Sequence, residues 1–198
     1  MGTKHLAELI ATVNGKLFIL SAFLFFCGIF LSPPVVRFSI KLLTAYPLWI
    51  WRKINRLISS RPSFFLLAVF IFIFNSFSAF ANILSGFCVV LPFIFALWTG
   101  LNIGIIIKKE SDGIAAIVAL FLSPHAFFEL PAIWLSMAAG MQIGLAAMNG
   151  KQAVFDQFHF SLNIYFYLIL PLLCIAAAIE AGLFYWANKK SHDIANND

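Results

Sequence analysis

His125, Glu129 and Glu180 are the side chains of this 198-residue chain whose types and surroundings could do chemistry. His125 and Glu129 stand four apart in the string SPHAFFELP, a spacing that puts them one turn apart on one face of a helix. Glu180 lies in a long apolar run, nine residues before Lys189, which is about 13.5 Å of helix. His125 follows Asp112 by thirteen residues, or about 20 Å of helix less what a turn consumes. An ionisable group at the centre of a bilayer costs about 2.5–3.5 kcal/mol even on the gentler insertion scale. Something must offset that cost, so each of the three is a functional candidate.

One imidazole and two carboxylates are acceptable ligands for zinc or iron, although His-x-x-x-Glu is not the His-Glu-x-x-His pattern of zinc proteases. The same groups also fit a proton relay or ion pathway, and they fit a hydrogen-bonded polar plug that fixes helix register. Asn75, Asn82 and Asn102 lie in neighbouring apolar segments and could add amides to the cluster. Pro124 and Pro131 flank the His–Glu pair and leave carbonyls of the preceding turns without helical partners. At membrane depth such defects survive only where they are buried in protein or line a wet cavity. Broken helices with polar groups at mid-depth are the usual binding sites of secondary transporters.

The elements that must carry these residues are membrane spans. Hydrophobic residues make up 62% of the chain and charged ones 11%, against about 25% charged in soluble domains. Residues 62–107 contain no Lys, Arg, Asp or Glu, long enough for two spans of about 20 residues each. The pattern predicts an all-α polytopic bundle forming a single transmembrane domain. Its spans are expected near 17–36, 63–81, 83–107, 114–147 and 162–188, with the middle pair parted near Asn82 and Gly86. Ile114–Leu122 is apolar for only nine residues before Ser123-Pro124, about half of a 30 Å core. The fourth span is therefore broken or re-entrant at PHAFFELP, and residues 149–161 read as a polar connector.

Residues 37–61 interleave Trp49, Trp51, Ile54, Leu57 and Ile58 with Arg52, Lys53 and Arg56. They read either as a helix lying on the membrane surface or as a basic linker. With the N-terminus outside, five spans put ten Lys and Arg residues inside and three outside, as the positive-inside rule favours. That bias accounts for the net charge of +5 and removes the need for a nucleic-acid partner. Lys4, His5 and Lys16 precede the first apolar run as in a signal peptide, but the run ends in Ser32-Pro33-Pro34 and reads as a retained anchor. Cys27, Cys88 and Cys174 lie in apolar runs, suggesting small hydrophobes rather than a disulfide framework.

Ala132, Ser136, Gly140 and Gly144 recur every four residues, as do Ala96, Gly100 and Gly104. Such stripes let helix backbones approach closely. They would pack either on each other or on a second copy or a partner protein.

The string LSPHAFFELPAIWLSMAAGMQIG resembles the P-H-G-x-x-E-x-P-A segment of the stage II sporulation protein M family, with Ala126 where that family usually has Gly. The resemblance runs from Phe64 onward, through Asn75, Gly86 and Asn102-x-Gly104 to LPLLCIAAAIEAG, whose Glu180 looks like the acidic residue of the family's last helix. It implies a polytopic membrane protein without a known reaction. In endospore formers it implies a part in a membrane complex that supports peptidoglycan remodelling. Ala126 and the tryptophan-rich 46–61 stretch are departures from the family pattern.

Three functions follow for a multi-pass protein of the cell membrane, embedded in lipid. It handles an ion, proton or small solute, alone or as part of a transport complex; or it is a scaffold that recruits partner proteins; or it is an intramembrane enzyme with a divalent metal at His125, Glu129 and Glu180. The chain has no nucleophile motif, no phosphate-binding glycine loop and no extramembrane region able to house a soluble active site, which weighs against an enzyme.

Overall fold

A computed structural model describes residues 9, 11–60, 62–110, 118, 119 and 121–195, with Glu110 and residues 187–195 described in backbone only. Among these residues the chain is helical and has no strand. The helices are α1 (Gly15–Arg37), α2 (Lys41–Ser59), α3 (Phe64–Leu84), α4 (Leu91–Glu110), α5 (Ala126–Ala146), α6 (Lys151–Ile164) and α7 (Leu170–Ala195). Five helical stretches are long and apolar enough to cross a membrane: Gly15–Arg37, Phe64–Phe87, Leu91–Lys109, Ala126–Asn149 and Lys151–Trp186. Of the basic residues that set the expected orientation, Lys4 and Arg61 lie outside the described residues, as do the side chains of Lys189 and Lys190.

Local chemistry sets the ends. The Asn14 side chain accepts from the amides of Lys16 and Leu17, and Ser63 accepts from Leu66, each satisfying amides that a helix start leaves unpaired. The α3–α4 connection falls at residues 85–90, a short 3₁₀ turn followed by three residues, rather than at Asn82, which stays inside α3. The basic stretch folds as α2, so the linker alternative gives way to a helix.

The expected connector at 149–161 is also mostly helix. Gly150, at φ 101°, turns the chain into α6, and a π turn at Tyr165–Ile169 joins α6 to α7. The π turn sits just before Pro171, whose missing N–H interrupts the regular ladder. The combined helix, 36 residues or about 54 Å, exceeds a core of about 30 Å. Its polar beginning can therefore project past the apolar layer.

Two parallel helix pairs organise the bundle. On α4, a Cβ added to Gly100 would strike the carbonyl of Phe25, and one added to Gly104 would meet Ser32 and Ile29 of α1. On α1, a Cβ at Gly28 would strike the backbone of Leu97 and Leu101. Contacts that advance together along both chains mean that α1 and α4 run the same way, backbone against backbone.

Asn75 meets Glu129, Asn82 meets Ser136, and Gly86 packs on the Gly140 carbonyl, a constant offset of 54 positions. Helices α3 and α5 are thus also parallel. Gly140 in turn lies against the Asn82 carbonyl, and Gly144 against Val89. Both small-residue stripes are occupied within the chain, and they face different partners rather than each other.

The offset also fixes where α5 begins. Ala126 is level with Phe72, eight residues into α3, so α5 starts about 12 Å along that helix. The chain returns along α4 to the side where α3 began, and α5 then starts part-way along α3. The break expected in the fourth span is present at Ser123–His125, directly before α5. Of the half-helix 114–122, residues 118, 119, 121 and 122 are helical, and 114–117 and 120 lie outside the described residues. Because α5 parallels α3, the spans beyond the break are not inverted. Phe121, Phe25, Phe26 and Trp134 gather around this junction, with Phe26 and Phe121 rings 5.2 Å apart.

The α1–α4 seam predicts a sharp size limit. Gly100→Ala should destabilise the protein by about 1–3 kcal/mol through overpacking, whereas Gly15→Ala, with open space around it, should leave stability nearly unchanged. Thermal unfolding in detergent compares the two. In the α3–α5 pair, a double-mutant cycle of Asn82→Ala and Ser136→Ala should give a coupling of about 0.6 and at most about 1.7 kcal/mol; zero coupling would mean that the bond does not hold the register.

Candidate functional site

His125 immediately precedes α5 and offers its carbonyl to the amides of Phe128 and Glu129. Glu129 then falls in the first turn of α5, where the positive end of the helix dipole favours a carboxylate. Glu180 comes from α7, which packs antiparallel on α3: Gly182 lies by the Phe64 ring and Tyr165 by Phe80. One nitrogen of His125 and one oxygen from each glutamate all lie within 4.8 Å of one another, and each residue is partly buried.

Asn75 completes the cluster. Its Nδ2 donates to Glu129 Oε1 at 3.0 Å, which orients the carboxylate and leaves Oε2 available. Ser123 Oγ lies 3.5 Å from His125 Nε2, while His125 Nδ1 is buried with no hydrogen-bond partner. Since Asn75 is eleven residues from the start of α3, the cluster sits about 16 Å along that helix, roughly the middle of a 30 Å core.

The other two asparagines do different things. Asn82 is buried and donates to Ser136 Oγ at 3.0 Å, two turns along from the cluster. Asn102 does not join it either; its Oδ1 is buried without a partner and its side lines a neighbouring cavity.

Two cavities flank the carboxylates. The smaller, about 190 Å³, is lined by Asn75, Glu129 and Glu180 together with Trp51, Ile54, Leu57 and Ile58 of α2. The larger, about 510 Å³, opens between α3 and α4, and its polar lining comprises Tyr46, Asn75, Ser78, Asn82, Trp98, Thr99, Asn102 and Glu129. Asn75 and Glu129, with Ile54 and Phe74, border both and so lie between the two spaces. Among the described residues no Lys or Arg lines either cavity.

The wall formed by α2 has no counterpart in the sequence reading of that stretch. Its apolar face is legible in the alternation of Trp51, Ile54, Leu57 and Ile58, but the pattern does not reveal that this face closes over acids 71 to 129 residues away. Its polar side carries Arg52, Lys53 and Arg56, all exposed, with the Lys53 ammonium 5.5 Å from the Trp49 ring, within cation–π range. Ser123 was also missed, although it stands two residues from His125.

No curated protein and no solved structure matches the chain. A family model does: the one described as Stage II sporulation protein M, over residues 17–183. The match starts well before Phe64 and so takes in α1 and α2 as well as the spans that carry the cluster. With most of its length covered, the chain belongs to the stage II sporulation protein M family of multi-pass membrane proteins.

Proposed function

We propose that this protein takes a small cation, a proton or a metal ion, into the His125–Glu129–Glu180 cluster and handles it across or within the membrane. One observation carries the reading: two carboxyl groups and an imidazole meet within 4.8 Å beside cavities that, among the described residues, no basic side chain lines. Two carboxylates at that separation repel by roughly 3–4 kcal/mol at an effective dielectric of about 20. Either a bound cation or a proton resting on one carboxyl group relieves that repulsion, and both are occupants that this reading allows.

The partition formed by Asn75 and Glu129 supports a route rather than a dead end. It gives the cation a carboxylate reachable from two sides, and Asn102 and Thr99 offer polar groups along the larger one. Coupling this cluster to a transport complex belongs to the same reading. A scaffold built on the small-residue stripes is less well supported, because Gly100, Gly104, Gly140 and Gly144 are covered by other segments of the same chain.

Proteoliposomes holding the purified chain should show cation or proton uptake above protein-free vesicles. Glu129→Gln and His125→Ala should each cut that uptake about tenfold or more, equivalent to about 1.4 kcal/mol, while Lys151→Ala, on an exposed residue far from the cluster, should not. Equal flux in all variants, with each shown to be folded, would remove the proposal.

A further inference from the structure

We infer that the cation suited to this cluster is a divalent transition-metal ion of the zinc class, held by His125, Glu129 and Glu180; the inference rests on the cation reading above and narrows it. Charge decides the valence. A neutral imidazole with two ionised carboxylates carries two negative charges, and among the described residues no Lys or Arg lines the adjoining cavities. A monovalent ion would leave the second charge to a proton on one carboxyl group, because isolated charge is expensive at membrane depth. A divalent ion leaves none.

Donor type decides the class. Magnesium and calcium take oxygen ligands, whereas imidazole suits zinc, iron, copper and nickel. The state of His125 fits a ligand: Nε2 has Ser123 Oγ at 3.5 Å, and Nδ1 is buried and partnerless. A metal-binding histidine typically has one ring nitrogen on the metal and the other held by an outer group. Asn75 does the same for Glu129, occupying Oε1 and leaving Oε2 to ligate.

Geometry is close to what coordination needs. Ligand atoms about 2.0–2.2 Å from a tetrahedral zinc lie roughly 3.4 Å apart. The observed limit of 4.8 Å exceeds this by an amount that side-chain rotation in two flexible glutamates can close. Three protein ligands leave a fourth position open, the pattern of sites that exchange water or substrate rather than purely structural ones.

The test uses untagged full-length protein in detergent, stripped with a chelator and titrated with Zn²⁺, Mn²⁺ and Mg²⁺ by calorimetry, with bound metal counted by elemental analysis. One Zn²⁺ per chain is expected, with Mg²⁺ bound at least about tenfold more weakly. His125→Ala and Glu180→Gln should each weaken Zn²⁺ about tenfold or more. Asn75→Ala, which keeps all three ligands, should weaken it less. Substitution with Co²⁺ gives a second readout, since visible bands of a four-coordinate mixed N/O site should appear in the parent and vanish in His125→Ala even if that variant is less stable.

Absence of stoichiometric Zn²⁺, or Zn²⁺ binding that none of the three substitutions alters, overturns the inference. The two proposals also fail separately. Flux that needs Glu129 without any Zn²⁺ binding would retain the cation route and discard the metal, whereas Zn²⁺ binding to these residues without flux would do the reverse.

Discussion

Carboxyl groups brought together at hydrocarbon depth are the constraint from which the rest of this structure follows. Glu129 and Glu180 come from helices distant in sequence, and each would cost several kcal/mol if it faced lipid alone. Bringing them together with His125 collects three such costs in one place, where a shared amide, that of Asn75, helps to offset them. Burial in protein rather than lipid requires four elements to converge on the same point: α3, the start of α5, α7 and the overlying α2.

Convergence to that tolerance depends on close backbone packing. Helices α3 and α5 must run parallel with a fixed offset for Asn75 to reach Glu129, and a slip of one residue would rotate the acid by about 100° away from the amide. Gly86 and Gly140, with backbones in direct contact, and the Asn82–Ser136 bond set that offset. In a membrane the hydrophobic effect does not drive helices together, so small residues and interhelical hydrogen bonds carry the association. The glycine stripes are therefore part of the site's support, although none of them touches it. The same logic applies to Gly28, Gly100 and Gly104, which hold α1 on α4 and so frame the far wall of the larger cavity.

That the three ionisable groups come together was legible in the sequence; azimuth and tertiary cover were not. Counting helical rise from Lys189 and Asp112 puts Glu180 and His125 at one level, and the side chains do meet. The same counting could not separate Asn75 from Asn102, because both lie inside apolar spans and only helix register says which one faces Glu129. Asn82 looked like punctuation between spans. Its amide is satisfied by Ser136 inside the bundle, so the helix runs through it and breaks at Ser85 instead. The 149–161 segment looked like a connector because it is polar, yet Gln152 pairs with Asp156 and Ser161 returns to the Gln157 carbonyl, and helix persists. Five apolar runs sufficed for the fold class because backbone groups in lipid must be satisfied within the segment, which leaves helix as the economical choice.

The position of α2 joins the buried cluster to the membrane surface. Its apolar face, Trp51, Ile54, Leu57 and Ile58, closes the smaller cavity over Glu129 and Glu180, and Ile54 also borders the larger one. Its exposed Arg52, Lys53 and Arg56 are the groups that anionic headgroups attract, at about 1 kcal/mol per charge near a membrane surface. One helix thus presents its apolar side to the acids and its basic side away from them. The acidic side chains and the residues that cover them are therefore on separate elements.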